Sequence, residues 1–180
     1  MNNKITDYIN KLRGNLDNLL REEETIKDIA YILMDAREND NTVFICGNGG
    51  SSATASHMAQ DFKKMCNIKS YALSDNTPSI TAWANDESYD VVFSQQLEVE
   101  ARPRDVLIVI SGSGNSPNIV NAVEWAVKNG VTVIALIGMT GGVVKEKYSD
   151  KIKLLYVDTD MQHAEDIHLI VGHLLLKLVE

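Results

Sequence analysis

Over the first forty residues apolar side chains recur every three or four positions. Ile5, Tyr8, Ile9, Leu12, Leu16 and Leu19-Leu20 form one series, and Ile26, Ile29, Ala30 and Leu33 continue it beyond the acidic cluster Glu22-Glu23-Glu24. That period describes one face of a helix and predicts two helices, the first projecting from the domain, with no strand before residue 42. The pattern then changes. Short apolar runs rich in β-formers predict strands near 43–46, 69–73, 106–110, 132–136 and 152–157. Helical spacing returns near 52–65, 78–84, 90–101, 117–128, 143–149 and 162–179. Strands separated by helix-length segments are βαβ units, so the expected class is α/β with a mainly parallel sheet.

Two of the predicted strands run straight into glycine- and serine-rich loops. Val43-Phe44-Ile45-Cys46 is followed by Gly47-Asn48-Gly49-Gly50-Ser51-Ser52, and Val106–Ile110 by Ser111-Gly112-Ser113-Gly114-Asn115-Ser116-Pro117. Glycine lets the backbone turn sharply and approach a ligand, and the next helix points its first N–H groups back at the loop. Strand, loop and helix N-terminus together suit an anion, most often phosphate. One such loop alone is equally a plain β-to-α turn; two of one design favour a ligand. In parallel α/β folds ligands sit beyond the carboxyl ends of strands, so both loops can share one crevice. Neither matches G-x-G-x-x-G or a P-loop, which turns the reading from nucleotides to a phosphomonoester on a small molecule.

Composition narrows the partners. The chain has 180 residues, 44% apolar and 23% charged, as expected for one globular domain, with helices over 1–40 ahead of an α/β core over 41–180. A net charge of −8 offers no basic stripe for nucleic acid. No apolar run reaches the ~18 residues of a membrane span. Two cysteines, Cys46 and Cys66, make no disulfide framework, and the expected location is the cytoplasm.

The titratable groups fall on two of the predicted helices. His57 and Asp61 are four apart and share a face; they suit a metal, an acid/base pair, or an ordinary intrahelical contact. On the last helix Glu165 and His168 are three apart, and Asp166 and His173 seven apart, while Glu165 and His173 lie roughly 80° apart around the axis. Asn85-Asp86 is a turn signal that equally could offer an amide and a carboxylate to sugar hydroxyls.

The ordered set G-N-G-G-S (47–51), the helix through His57, N-D (85–86), S-G-S-G-N-S-P-N (111–118), G-G (141–142) and E-D-I-H-L-I-V-G-H (165–173) resembles the sugar isomerase (SIS) domain, above all its phosphoheptose isomerase branch. The resemblance runs essentially the whole chain. It implies a three-layer sandwich with a five-stranded parallel sheet, N-terminal helices making oligomer contacts, a homotetramer, and interconversion of sedoheptulose 7-phosphate and glycero-manno-heptose 7-phosphate. By position it implies that Ser111, Gly112, Ser113 and Ser116 hold the phosphate, and that Asn48, Gly49, Gly50 and Ser51, with Asn85 and Asp86, line the sugar. It implies one zinc ion per subunit on His57, Asp61, Glu165 and His173, with Asp61 as base, His173 as acid, and Glu165 also on the substrate. Two positions depart from the family: Asp61 stands where it has glutamate, and Glu165 where it has glutamine, for which Gln162 is an alternative ligand. Rival readings are a non-catalytic phosphosugar-binding regulator or scaffold of the same fold, and an isomerase of another sugar phosphate.

Overall fold

The middle of the sheet is β3 (Val106–Ser111), and each of its six residues is buried. A strand covered on both faces must be apolar throughout, which is why it reads as an unbroken run. The computed structural model describes residues 2–180; Met1, the first residue of the expected N-terminal helical segment, lies outside the described residues. Flanking β3 are β1 (Val43–Gly47) and β4 (Thr132–Ile137), with β2 (Ser70–Ala72) and β5 (Lys153–Tyr156) at the edges. The order is β2-β1-β3-β4-β5 and every pairing is parallel. The expected five-stranded parallel sheet is present.

Successive side chains of a strand face opposite ways, and the core divides accordingly. Val43, Ile45, Val106, Ile108, Ile110, Ile134 and Leu136 pack beneath α2 (Glu23–Glu38), α3 (Gly50–Cys66) and α8 (Met161–Val179). Phe44, Cys46, Leu107, Val109, Val133, Ala135 and Ile137 pack beneath α5 (Ser94–Glu100) and α6 (Pro117–Lys128), with Val144 of α7 (Gly142–Tyr148). The chain moves outward from β1 to β2 and then crosses to the other side of β1 at β3, so the β1/β3 boundary is the topological switch point where such sheets bind ligands. The register pairs Gly47 with Ile110, and both glycine-rich loops therefore leave the sheet at one level.

Local chemistry moves some boundaries. Asn76 caps α4 (Thr77–Asp86) by accepting from the Ser79 N–H, and the helix runs on through Asn85 and Asp86 where a turn was expected. The helix expected over 90–101 is divided: Ser88 Oγ accepts from the Asp90 N–H and starts a 3-10 turn at Tyr89–Val91, and α5 begins only at Ser94.

The first helix, α1 (Asn2–Leu19), does not project freely; it is stitched along the start of α8. Asn15 Nδ2 donates to Thr159 Oγ1 at 2.9 Å, Lys11 Nζ meets Asp160 at 2.7 Å, and the Tyr8 hydroxyl donates to Asp166. His163 is the buried pin of this clasp, with the Tyr8 ring stacked at a centroid distance of 4.0 Å. Its Nδ1 lies 2.8 Å from Asp160 and its Nε2 3.0 Å from the Tyr8 carbonyl, so both nitrogens face acceptors, as suits an imidazolium.

Burial pulls the His163 pKa down, but the Tyr8 carbonyl and the Asp160 carboxylate outweigh it and hold the value above the ordinary one. Lys11 first, then His163, holds the Asp160 carboxyl well below the usual carboxylate range. A raised histidine stabilises the fold fully below its unfolded pKa, about 6.5, and loses that contribution as pH rises through the folded value. Asp160 behaves oppositely and keeps its contribution until pH falls through its depressed value. Hydrogen exchange along Tyr8–Asn15, corrected for intrinsic rates, should therefore quicken as pH rises above about 6.5 while β1 and β3 stay protected. Flat protection of α1 up to pH 9 would show that His163 does not hold the clasp.

Candidate functional site

Beyond the carboxyl ends of β1 and β3 lies a cavity of about 90 Å³ walled by Asn48, Ser51, Ile110, Ser111, Gly112, Ser113, Ser116, Met161 and Glu165. Ser51 is buried in the first turn of α3, and Ser111 closes β3. The second loop is rigid. Ser111 Oγ accepts from the Gly114 N–H at 3.0 Å, and Ser113 Oγ from the Asn115 N–H at 3.2 Å. Asn115 Oδ1 accepts from the Val143 N–H at 2.9 Å, tying the loop to α7. Gly114 has φ of +65°, and a Cβ there would meet the Gly141 carbonyl oxygen at 2.1 Å, so both backbone and space require glycine. Ser116 starts α6 without spending its hydroxyl on a cap, and Pro117 fills the first helical position. The serines and the Asn48 amide line the cavity, and its wall holds no lysine or arginine among the described residues. Such a lining suits an anion bound through directional donors rather than through a counter-charge.

Farther along α3 and α8 a second constellation forms. His57 Nε2 lies 3.1 Å from Asp61 Oδ2 and 3.4 Å from His173 Nε2, and one ligand-capable atom from each residue falls within 4.8 Å of the others. The helices come this close because residue 172 has no side chain: a Cβ on Gly172 would lie 2.8 Å from Met58 Cγ. Bonds of about 2.0–2.1 Å in a tetrahedral zinc site put neighbouring ligand atoms roughly 3.3–3.4 Å apart, close to the distances from His57 to Asp61 and to His173, and three ligands leave a fourth position open. The residues fit a divalent ion.

Three of the four expected ligands are thus together and one is not. Glu165 is eight residues from His173, about 12 Å of helical rise, and its carboxylate packs on Gly50, where a Cβ would meet Oε1 at 2.7 Å. It belongs to the serine cavity, and Gln162, exposed and farther still, is no substitute. Asn85 and Asp86 are exposed on α4, bonded to each other at 2.8 Å, and are not in the cavity wall. Gly49 and Gly50 form the exposed turn into α3. Of the other histidines, His163 serves the clasp, and burial pushes His168 down to about 4, a neutral core residue. Asp166 is taken by Tyr8. Sequence reasoning did not single out Met161, which lines the cavity, nor Asn118 and Tyr89, which bond to Asn48. A larger cavity of about 580 Å³, between α3 and β2, contains none of the expected residues.

Comparison with known proteins gives a consistent answer. The family described as SIS domain matches residues 7–138. A curated phosphoheptose isomerase of Akkermansia muciniphila is 37% identical, over 98% of this chain and 97% of its own. One from Rhodospirillum rubrum is 38% identical, over 86% of this chain and 84% of its own. The solved structure of phosphoheptose isomerase GmhA from Neisseria gonorrhoeae superposes with a TM-score of 0.92 at 30% identity, covering 98% of this chain and 97% of that one.

The serine cavity generates a direct test. Each hydrogen bond to a charged phosphate contributes about 1.5–3 kcal/mol, so Ser113→Ala and Ser116→Ala should each weaken inorganic phosphate binding by roughly ten- to a hundredfold. Calorimetry would measure this. Unchanged affinity in both variants would place the anion elsewhere.

Proposed function

Because the chain belongs to the SIS domain family and aligns over nearly its whole length with phosphoheptose isomerases, we propose that it interconverts sedoheptulose 7-phosphate and D-glycero-D-manno-heptose 7-phosphate through an enediol. The observation that carries this reading is that α3 begins at the serine cavity and carries His57 and Asp61 farther along. From Ser51 to His57 is six residues, about 9 Å of rise. Six carbon–carbon bonds of about 1.5 Å in a zigzag, plus the ester to phosphorus, reach roughly 10 Å. Ser51 lines the same small cavity as Ser111, Ser113 and Ser116, so a seven-carbon chain with its phosphate in that cavity is long enough to reach the His/Asp/His cluster.

On this reading Ser111, Ser113 and Ser116, with Gly112, hold the phosphate and fix the reacting carbons. Asn48, Gly49, Gly50 and Ser51 line the chain, with Glu165 accepting from its hydroxyls. From the ketose, Asp61 takes the proton on C1 while His173 protonates the C2 oxygen, giving the enediol. Return of a proton to C2 and loss of the O1 proton gives the aldose. General acid–base groups of this kind contribute about 10²–10⁴-fold each. A zinc ion held by His57, Asp61 and His173 would supply Lewis acidity at the carbonyl oxygen.

The homotetramer is proposed on apolar surface that one chain leaves uncovered. Ile5 is 71% exposed and Leu20 73%, and a groove of about 480 Å³ between α1, α2 and α8 is lined by Leu16, Leu20, Ile26, Ile170, Leu174 and Leu178. Cytoplasmic placement is proposed on two unpaired, buried cysteines, Cys46 and Cys66.

NMR of sedoheptulose 7-phosphate with the protein should show the aldose appearing. Asp61→Asn should lower kcat at least about a hundredfold while inorganic phosphate still binds. His57→Ala should abolish the roughly stoichiometric zinc expected in elemental analysis of the unmodified protein. Full activity in Asp61→Asn would remove the assigned base. In sedimentation the full chain should run larger than a monomer, and removing residues 1–20 should reduce or abolish that assembly; a stable full-length monomer at micromolar concentration excludes the tetramer.

A further inference from the structure

We infer that Asn118 and Tyr89 are positioning residues: they clamp the side-chain amide of Asn48 so that it presents a single N–H donor to the sugar chain. Asn48 sits on the turn after β1 and lines the serine cavity. Its Nδ2 donates to Asn118 Oδ1 at 2.9 Å, and Asn118 Nδ2 donates back to Asn48 Oδ1 at 2.9 Å. Asn118 is the second residue of α6 and only 2% exposed. The reciprocal pair therefore joins the loop after β1 to the helix after β3, across the switch point. The Tyr89 hydroxyl donates to the same Asn48 Oδ1 at 3.1 Å. The turn that carries Tyr89 is itself held on α6, where Asn121 Nδ2 donates to the Asp90 carbonyl at 2.9 Å.

A side-chain amide has two acceptor sites on oxygen and two N–H donors. Asn118 and Tyr89 fill both acceptor sites of Asn48, and Asn118 takes one of its donors. What remains is one N–H, so the ligand atom at this wall must be an acceptor, a hydroxyl or carbonyl oxygen. Without the clamp the amide could rotate or flip, and the ligand would have to order it on binding. A buried asparagine at 118 is also explained, since a buried amide is costly unless bonded, and its partner is Asn48.

The identity of the ligand rests on the isomerase reading; the clamp itself does not. Tyr89 is 51% exposed, so Tyr89→Phe removes a hydroxyl without touching the core. It should lower kcat/KM for sedoheptulose 7-phosphate roughly three- to tenfold, with unchanged Tm and unchanged inhibition by inorganic phosphate, which the serines hold. Asn118→Leu should cost more, and adding Tyr89→Phe to it should cost nothing further, because both act through one amide. Asn118→Asp, which still accepts from Asn48 but cannot donate, should fall between. In the unmodified protein the paired Asn48 and Asn118 side-chain amide protons should exchange slowly and cross-relax with each other; Asn118→Leu should free that of Asn48, and Asn118→Asp, which still accepts from it, should not. Rapid exchange at Asn48 in the unmodified protein, or wild-type kinetics in Tyr89→Phe and Asn118→Asp, would overturn the clamp. Absence of turnover by the unmodified protein would overturn the isomerase reading alone, because the exchange measurement still decides the clamp.

Discussion

The close approach of α3 to α8 is the constraint on which the site depends. Two pairs of residues set it, Met58 against Gly172 and Glu165 against Gly50, and in each the partner is a residue without a side chain. Packing at that distance leaves no room for a methyl group. The helices consequently run side by side in the same sense, and residues at matching heights meet. His57 and Asp61 meet His173 at one height, and the Glu165 carboxylate meets the start of α3 at the other. One helix pair thus builds two chemically different ends, separated by about the length of a small phosphorylated chain.

The other half of the site comes from the order of the strands. With β1 and β3 adjacent and their following elements diverging, two helix N-termini open on one crevice. On the proposed reading an acidic chain with a net charge of −8 holds an anion there through hydroxyls and an amide in place of cations. Glu165 adds a negative charge to that wall. Its place at the α3 end suits the proposed arrangement, with the phosphate at the second loop, around Ser113 and Ser116, and the sugar at the first.

The N-terminal helix is connected to this chemistry through α8. The clasp of Tyr8 and Lys11 on Asp160, His163 and Asp166 fixes the first turns of α8, which also carry Met161 and Glu165 into the cavity wall. Apolar surface on α1 and the serine cavity are therefore joined through α8.

Local sequence determined the elements and the loops. The strands of the sheet, both glycine-serine loops and the start of α6 at Pro117 follow from periodicity, from turn chemistry and from the φ angles that single residues allow, all of which act over a few positions. His57 with Asp61 was legible for the same reason, because one turn of helix joins them. The tertiary structure decided what lies across elements. The angle between Glu165 and His173 around α8 could be read from the sequence, but only the packing of α3 showed that rise along the axis sends them to different ends. Asn48, Asn118 and Tyr89 are separated by dozens of residues, so no local pattern shows that their side chains meet. They meet because β1 and β3 are neighbours in the sheet, and that adjacency is set by the burial of whole strands, not by the residues that end up touching.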